Sequence, residues 1–119
     1  AEWSRLAPVL AAALAVGAPA ADEVYSGARL LDDFQVCDSR GEDYRCGRAA
    51  AYVKGFAKRL MQGHVGNPQQ PQICLPADIG VAELMEVVRV FLEAQPQRGD
   101  ELAVWLVRDA MIGAYPCAR

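Results

Sequence analysis

Residues 81–94 read VAELMEVVRVFLEA, and the spacing in this stretch decides the fold class. Leu84, Val87, Val88, Phe91 and Leu92 recur at the three- and four-residue intervals of one helix face. Glu83 and Glu86 lie in the first turns, where the helix dipole favours negative charge. Gly80 stands at the N-cap position and Pro96 ends the pattern. No two-residue alternation of a half-buried strand competes with this reading.

Three further segments follow the same period. On the N-terminal side, residues 46–62 place Ala49, Val53, Phe56 and Leu60 on one face. Arg48, Lys54, Lys58 and Arg59 fall mostly elsewhere, on the expected solvated side. Gly55 interrupts this helix at a cost of up to about 1 kcal/mol relative to alanine. Close packing against another helix would be a reason to keep it. An earlier segment, residues 23–37, carries Val24, Ala28, Leu31 and Phe34 or Gln35 at helical spacing, with Leu30 widening the stripe. On the C-terminal side, Asp100 is a good N-cap for a last helix running to about Tyr115. Its face is Ala103, Leu106, Val107, Ala110, Met111 and Ala114, with Pro116 as the stop. The expected fold is all-α, a small four-helix bundle.

The connections are unequal. A polar loop, DSRGEDYR at 38–45, joins the first two helices. Between the second and third lies GHVGNPQQPQICLPADI at 63–79, whose prolines and glycines exclude regular structure over most of its length. A connection of this length is functional or tied down, and Cys74 is available to tie it.

The cysteines are Cys37, Cys46, Cys74 and Cys117, with gaps of 8, 27 and 42 residues. These spacings do not resemble metal-ligand pairs, and the only histidine is His64. An even count in a small chain suggests a disulfide framework. Four cysteines allow three pairings. In an up-down-up-down bundle the end of the first helix meets the start of the second. The start of the third likewise meets the end of the fourth. Pairing 37–46 with 74–117 is therefore geometrically easiest, and the bundle is expected to carry two such staples.

Residues 6–21, LAPVLAAALAVGAPAA, follow Arg5 without a single charge. Ala18-Pro19-Ala20 has the small-x-small form of a cleavage site, which makes residues 1–20 an expected signal peptide and 21–119 the helical domain. The competing readings are an ordered helix, disfavoured by Pro8, Gly17 and Pro19, and a membrane anchor, for which the run is short. A secretory signal and disulfides point together to the periplasm, with no membrane span in the mature chain.

No active site is expected. His64 sits alone in a loop, and paired cysteines leave no thiol for a Cys-His arrangement. Asp32, Asp33, Glu42, Asp43, Asp100 and Glu101 fall mostly at helix ends or in loops, where capping and solubility explain most of them. There is no HExxH and no phosphate-cradling glycine loop. No cofactor or metal is expected. The formal net charge is −3, and no stretch gathers Lys and Arg on one face, which argues against nucleic acid. Binding another protein is the function that remains. The candidate surfaces are Arg40, Glu42, Asp43, Tyr44 and Arg45 in the first loop and His64, Asn67, Gln69 and Gln70 in the second. Tyr and Arg are frequent interface anchors.

An ordered set of short pieces resembles the bacterial type VI secretion amidase immunity proteins. The pieces are Leu30-Leu31 before Cys37, Tyr52-Val53-Lys54-Gly55 after Cys46, and Cys74-Leu75-Pro76. LMEVVRVFLEAQP at 84–96 and the closing Ala110…Ala114-Tyr115-Pro116-Cys117 complete the set. The resemblance implies a helical, disulfide-bonded periplasmic protein. Its partner would be a cognate peptidoglycan amidase effector from sister cells, which it binds and occludes. A homodimer is also implied, and no catalytic residues carry over. Two other readings compete, a periplasmic stress chaperone and a structural subunit of an envelope complex. With one histidine, an acid-switched chaperone would have to titrate carboxylates.

Overall fold

The Ser26 hydroxyl starts the first helix by accepting the backbone N–H of Arg29 at 3.2 Å. The computed structural model describes residues 24–63, 66–67 and 69–118, so the expected signal peptide at 1–20 lies outside the described residues. Among the described residues four α-helices follow in order: α1 Gly27–Ser39, α2 Tyr44–Met61, α3 Val81–Ala94 and α4 Ala103–Ala114, with a 3-10 turn at Pro96–Arg98. Among the described residues, β pairing is limited to two isolated bridges, Ser26 with Leu102 and Ile73 with Pro116. No helix among them is long and apolar enough to cross a membrane.

The core draws on every helix. Leu30 and Phe34 meet Val53 and Phe56 of α2, Leu84, Val88 and Leu92 of α3, and Leu106, Val107 and Met111 of α4. α3 has the bounds read from its sequence, but the buried stripe of α1 differs from the expected one. It consists of Gly27, Leu30, Asp33 and Phe34, whereas Val24 and Ala28 are exposed. A glycine and an aspartate occupy two of its core positions, so apolar spacing finds Leu30 and Phe34 but misses Gly27 and Asp33. Gly27 is needed there, because a Cβ would stand 2.1 Å from Leu106 Cδ1.

Several expected ends also shift. Asp38 and Ser39 continue α1 rather than opening a loop. α2 begins at Tyr44, capped by Asp43, whose carboxylate accepts the N–H of Arg45 at 2.9 Å. Asp100 does not cap α4, whose N-cap is Leu102. The 3-10 turn after Pro96 carries the chain past Asp100, and the two helix starts satisfy each other instead. Gly27 N–H donates to Glu101 C=O at 2.9 Å, Ala28 N–H to Gly99 C=O at 2.9 Å, and Ala103 N–H to Tyr25 C=O at 2.9 Å. Backbone donors orphaned at two N-termini are paired through this docking.

Both disulfides form as the bundle geometry suggests, Cys37–Cys46 and Cys74–Cys117, each with Cα atoms 4.9 Å apart. The second ties down the long connection, where Cys74 N–H also donates to Tyr115 C=O at 2.8 Å and Ile73 is buried. Gly63, at φ 76°, takes the left-handed conformation that ends α2. Gly55 does not serve a close helix contact, since nothing lies within 4 Å of where its Cβ would be.

Candidate functional site

The connection between α1 and α2 is shorter and stiffer than an eight-residue loop. Only Arg40, Gly41, Glu42 and Asp43 lie outside the helices. Asp43 N–H donates to Arg40 C=O at 2.9 Å, Arg40 N–H donates to Val36 C=O at 2.7 Å, and the Cys37–Cys46 bridge closes the corner. Asp43 acts as cap and ion-pair partner together, receiving Arg45 Nε at 3.1 Å and Nη2 at 3.2 Å. These Arg45 bonds hold the Asp43 carboxyl below its ordinary range. Tyr44 and Arg45 belong to the first turn of α2, and Tyr44 is 74% exposed.

Behind this corner lies a polar group in the core. Asp33 is 2% exposed and faces α2 from the middle of α1. Arg48 clasps it with two hydrogen bonds, Nε to Oδ2 at 2.7 Å and Nη2 to Oδ1 at 2.8 Å, and the Tyr25 hydroxyl donates to Oδ2 as well. Asp33 is thus neither a cap nor a solubilising charge, and Arg48 does not simply extend into solvent. Burial by itself would raise the Asp33 pKa, but the bonds from Arg48 and Tyr25 outweigh it and hold the carboxyl below its ordinary value. Burial, reinforced by the neighbouring Asp33 carboxylate, pushes the Tyr25 phenol well above its usual range.

The guanidinium of Arg48 also faces two rings, lying 5.6 Å from the centroid of Tyr25 and 5.6 Å from that of Tyr44. Tyr25 in turn packs on Tyr52 with centroids 4.8 Å apart. A buried carboxylate therefore fixes an arginine, and the arginine supports an exposed tyrosine. Cation–π contact and bidentate pairing both limit the freedom of the outer ring. Such an arrangement suits rigid contact with a partner. Among the described residues no group of His, Cys, Asp and Glu is placed to hold a metal ion.

The family model of the Rap1a immunity proteins matches residues 26–117, which run from the Ser26 cap to the closing Cys117. The chain belongs to that family. No curated protein and no solved structure matches it. As an immunity-family protein, it binds a partner effector.

In this Rap1a-family chain the two expected surfaces are separate. Arg40, Glu42, Asp43, Tyr44 and Arg45 cluster at the start of α2. Asn67, Gln69 and Gln70 lie beyond its other end, and His64 lies outside the described residues. The 18 residues of α2 span about 27 Å at 1.5 Å each. Asn67 organises the far loop itself: its side chain accepts Gln69 N–H at 3.0 Å and its carbonyl accepts Gln70 N–H at 3.1 Å. An open groove of about 440 Å³ runs beside this loop, lined by Leu60, Met61, Gln70, Ile73 and Arg108 among others.

Three residues of the immunity protein's corner escaped sequence reasoning: Tyr25, Asp33 and Arg48. The available signal was Asp33 itself, a charge three residues after the core residue Leu30 and one before Phe34. A second feature agrees with the solvated side read from the sequence, Arg48 apart, which turns to Asp33. α2 carries Arg45, Arg48, Lys54, Lys58 and Arg59 with no acidic residue, and Lys54, Lys58 and Arg59 are exposed. Two of these cations are paired, Arg45 with Asp43 and Arg48 with Asp33.

Proposed function

We propose that this chain is the periplasmic immunity protein for a peptidoglycan amidase delivered by type VI secretion. It binds the cognate enzyme and occludes its substrate cleft. The observation that carries this reading is the Tyr44 corner, in which an exposed ring is backed by Arg48, locked to buried Asp33 and closed by the Cys37–Cys46 bridge. Rigid aromatic and arginine anchors lose little freedom on binding, so their contacts translate efficiently into affinity. An inhibitor that excludes substrate by obstruction needs that stiffness.

Membership of the immunity family supports the partner class, and the resemblance of the sequence to amidase immunity proteins supports the enzyme. Two disulfides support an oxidising compartment, consistent with export from the cytoplasm. The candidate contact residues are Arg40, Glu42, Asp43, Tyr44 and Arg45, now joined by Arg48. Homodimerisation is a further proposal resting on the resemblance alone, and light scattering on the oxidised protein tests it.

The functional test is protection. Cells that export the cognate amidase to their periplasm should lyse, and co-export of this chain should rescue them. A Tyr44→Ala variant of equal abundance should rescue poorly. Lysis undiminished by the wild-type chain would refute the reading.

A further inference from the structure

The solvent face of α2 continues directly from the Tyr44 corner. At 100° per residue, Tyr44, Ala51, Lys54, Gly55 and Lys58 share the side of the helix opposite its buried residues Ala49, Val53 and Phe56. Arg59 flanks them. Among the described residues no ion pair engages Lys54, Lys58 or Arg59, whereas Arg45, Arg48, Arg89, Arg98 and Arg108 each have a carboxylate partner. Among the described residues Arg40, at the corner before α2, has no ion pair either, whereas Lys54, Lys58 and Arg59 lie near the other end of the helix.

Ordinary surface design does not account for them. Cations in a last turn complement the helix dipole, which covers Lys58 and Arg59. It does not cover Lys54, which sits four residues before Lys58. This i,i+4 pair of like charges is repulsive on an isolated helix. A local rule broken without a compensating intramolecular contact points to a function outside the chain. Meanwhile the exposed carboxylates of α3, Glu83, Glu86 and Glu93, belong to a different helix of the bundle.

We propose that the solvent face of α2 docks against an acidic surface of the amidase, with Tyr44 as the anchor at one end and Lys54, Lys58 and Arg59 as the electrostatic guide at the other. This rests on the immunity reading above and names the chemistry of the partner surface. Lys54, Lys58 and Arg59, exposed and without carboxylate partners among the described residues, are complementary to an acidic surface, and the immunity reading supplies the protein that bears it. Fourteen residues separate Tyr44 from Lys58, about 21 Å along the axis, a span within reach of an ordinary protein interface. A lipid surface fits less well, since membrane-binding basic segments usually gather four to eight cations. The division of labour has a kinetic consequence. Peripheral cations mainly accelerate encounter, while the packed anchor mainly slows departure.

The test uses the oxidised full chain and its purified cognate amidase, with association followed at low and high salt. Wild-type association should slow by at least about tenfold as salt screens the cations. The triple variant Lys54→Glu/Lys58→Glu/Arg59→Glu should associate about 10- to 100-fold more slowly at low salt and lose most of the salt dependence. Its neutral counterpart, Lys54→Gln/Lys58→Gln/Arg59→Gln, keeps the test valid if charge reversal disturbs folding, and should be intermediate. An Ala51→Trp variant, which adds bulk without charge, should weaken binding through faster dissociation. Folded triple variants with wild-type association rates and salt slopes would overturn the proposal while leaving the immunity reading intact. A wild-type chain that neither binds nor inhibits the amidase removes that reading and this inference with it. Retention of wild type but not the reversed variant on phosphatidylglycerol vesicles, with amidase association unchanged, assigns the face to lipid and also overturns the proposal.

Discussion

Arg48 holds the buried carboxylate of Asp33 with two hydrogen bonds of 2.7 and 2.8 Å, although the two residues belong to different helices. The pair joins α1 to α2 beside their disulfide and at the same time supports Tyr44. Replacing Asp33 with Asn removes the charge and weakens both bonds, at an expected cost of about 1.5–3 kcal/mol in unfolding free energy. The pH dependence follows from the depressed pKa of Asp33. A carboxyl whose folded pKa lies below its unfolded value stabilises fully above that unfolded value, about 3.9. The contribution is lost as pH falls through the folded pKa. Urea denaturation should therefore show a full gap between wild type and Asp33→Asn at pH 7, narrowing below about pH 4.

Gly27 and Gly55 should respond oppositely to alanine. A Cβ at Gly27 meets the buried Leu106 side chain, so Gly27→Ala should cost about 1–3 kcal/mol through overpacking. At Gly55 the space is open and the backbone is helical. Gly55→Ala should gain about 0.4–1 kcal/mol by restricting the unfolded chain. Thermal unfolding of the two variants checks both signs in one experiment.

Removing each disulfide in turn should rank them by the chain each one closes. Replacing Cys74 and Cys117 with serine opens a loop of 43 residues, worth about 4 kcal/mol in the loop-entropy account. The Cys37–Cys46 pair, with a separation of 9, is worth about 2.5 kcal/mol. Chemical denaturation of the two double-serine variants measures the difference. Loss of the longer bridge should also release the connection around Ile73, seen as faster exchange of the amide at position 74, which donates to Tyr115 C=O in the wild type.

Much of the bundle was legible because it is written locally. The spacing of Leu84, Val88 and Leu92 and the stop at Pro96 define α3, and helix order alone favours the correct cysteine pairs. What was not legible is non-local or breaks the apolar rule. The buried stripe of α1 contains Gly27 and Asp33, one without a side chain and the other charged. Its carboxylate is tolerated only because Arg48 and Tyr25 arrive from elsewhere in the fold. Asp100 looks like a cap, yet the start of α4 is satisfied by the carbonyl of Tyr25, distant in sequence. At the candidate site, Tyr44 and Arg45 were legible as residue types but not as the first turn of a helix. Arg48 was hidden because a lone cation reads as solvent-facing.

The support that Arg48 gives Tyr44 should be separable from bulk stability. Tyr44→Ala leaves the core untouched, so its unfolding temperature should stay near wild type while amidase affinity falls about 10- to 100-fold, as for an interface anchor. Arg48→Lys keeps the charge but loses the planar two-point clasp on Asp33. It should lower affinity less than Tyr44→Ala and lower stability more. Calorimetric binding and unfolding measurements on the same preparations check the crossover.

The most direct measurement is a titration of peptidoglycan cleavage by the proposed cognate amidase with the oxidised protein. An occluding immunity protein predicts a linear fall in turnover that ends at one chain per enzyme. Full activity at large molar excess would contradict the account.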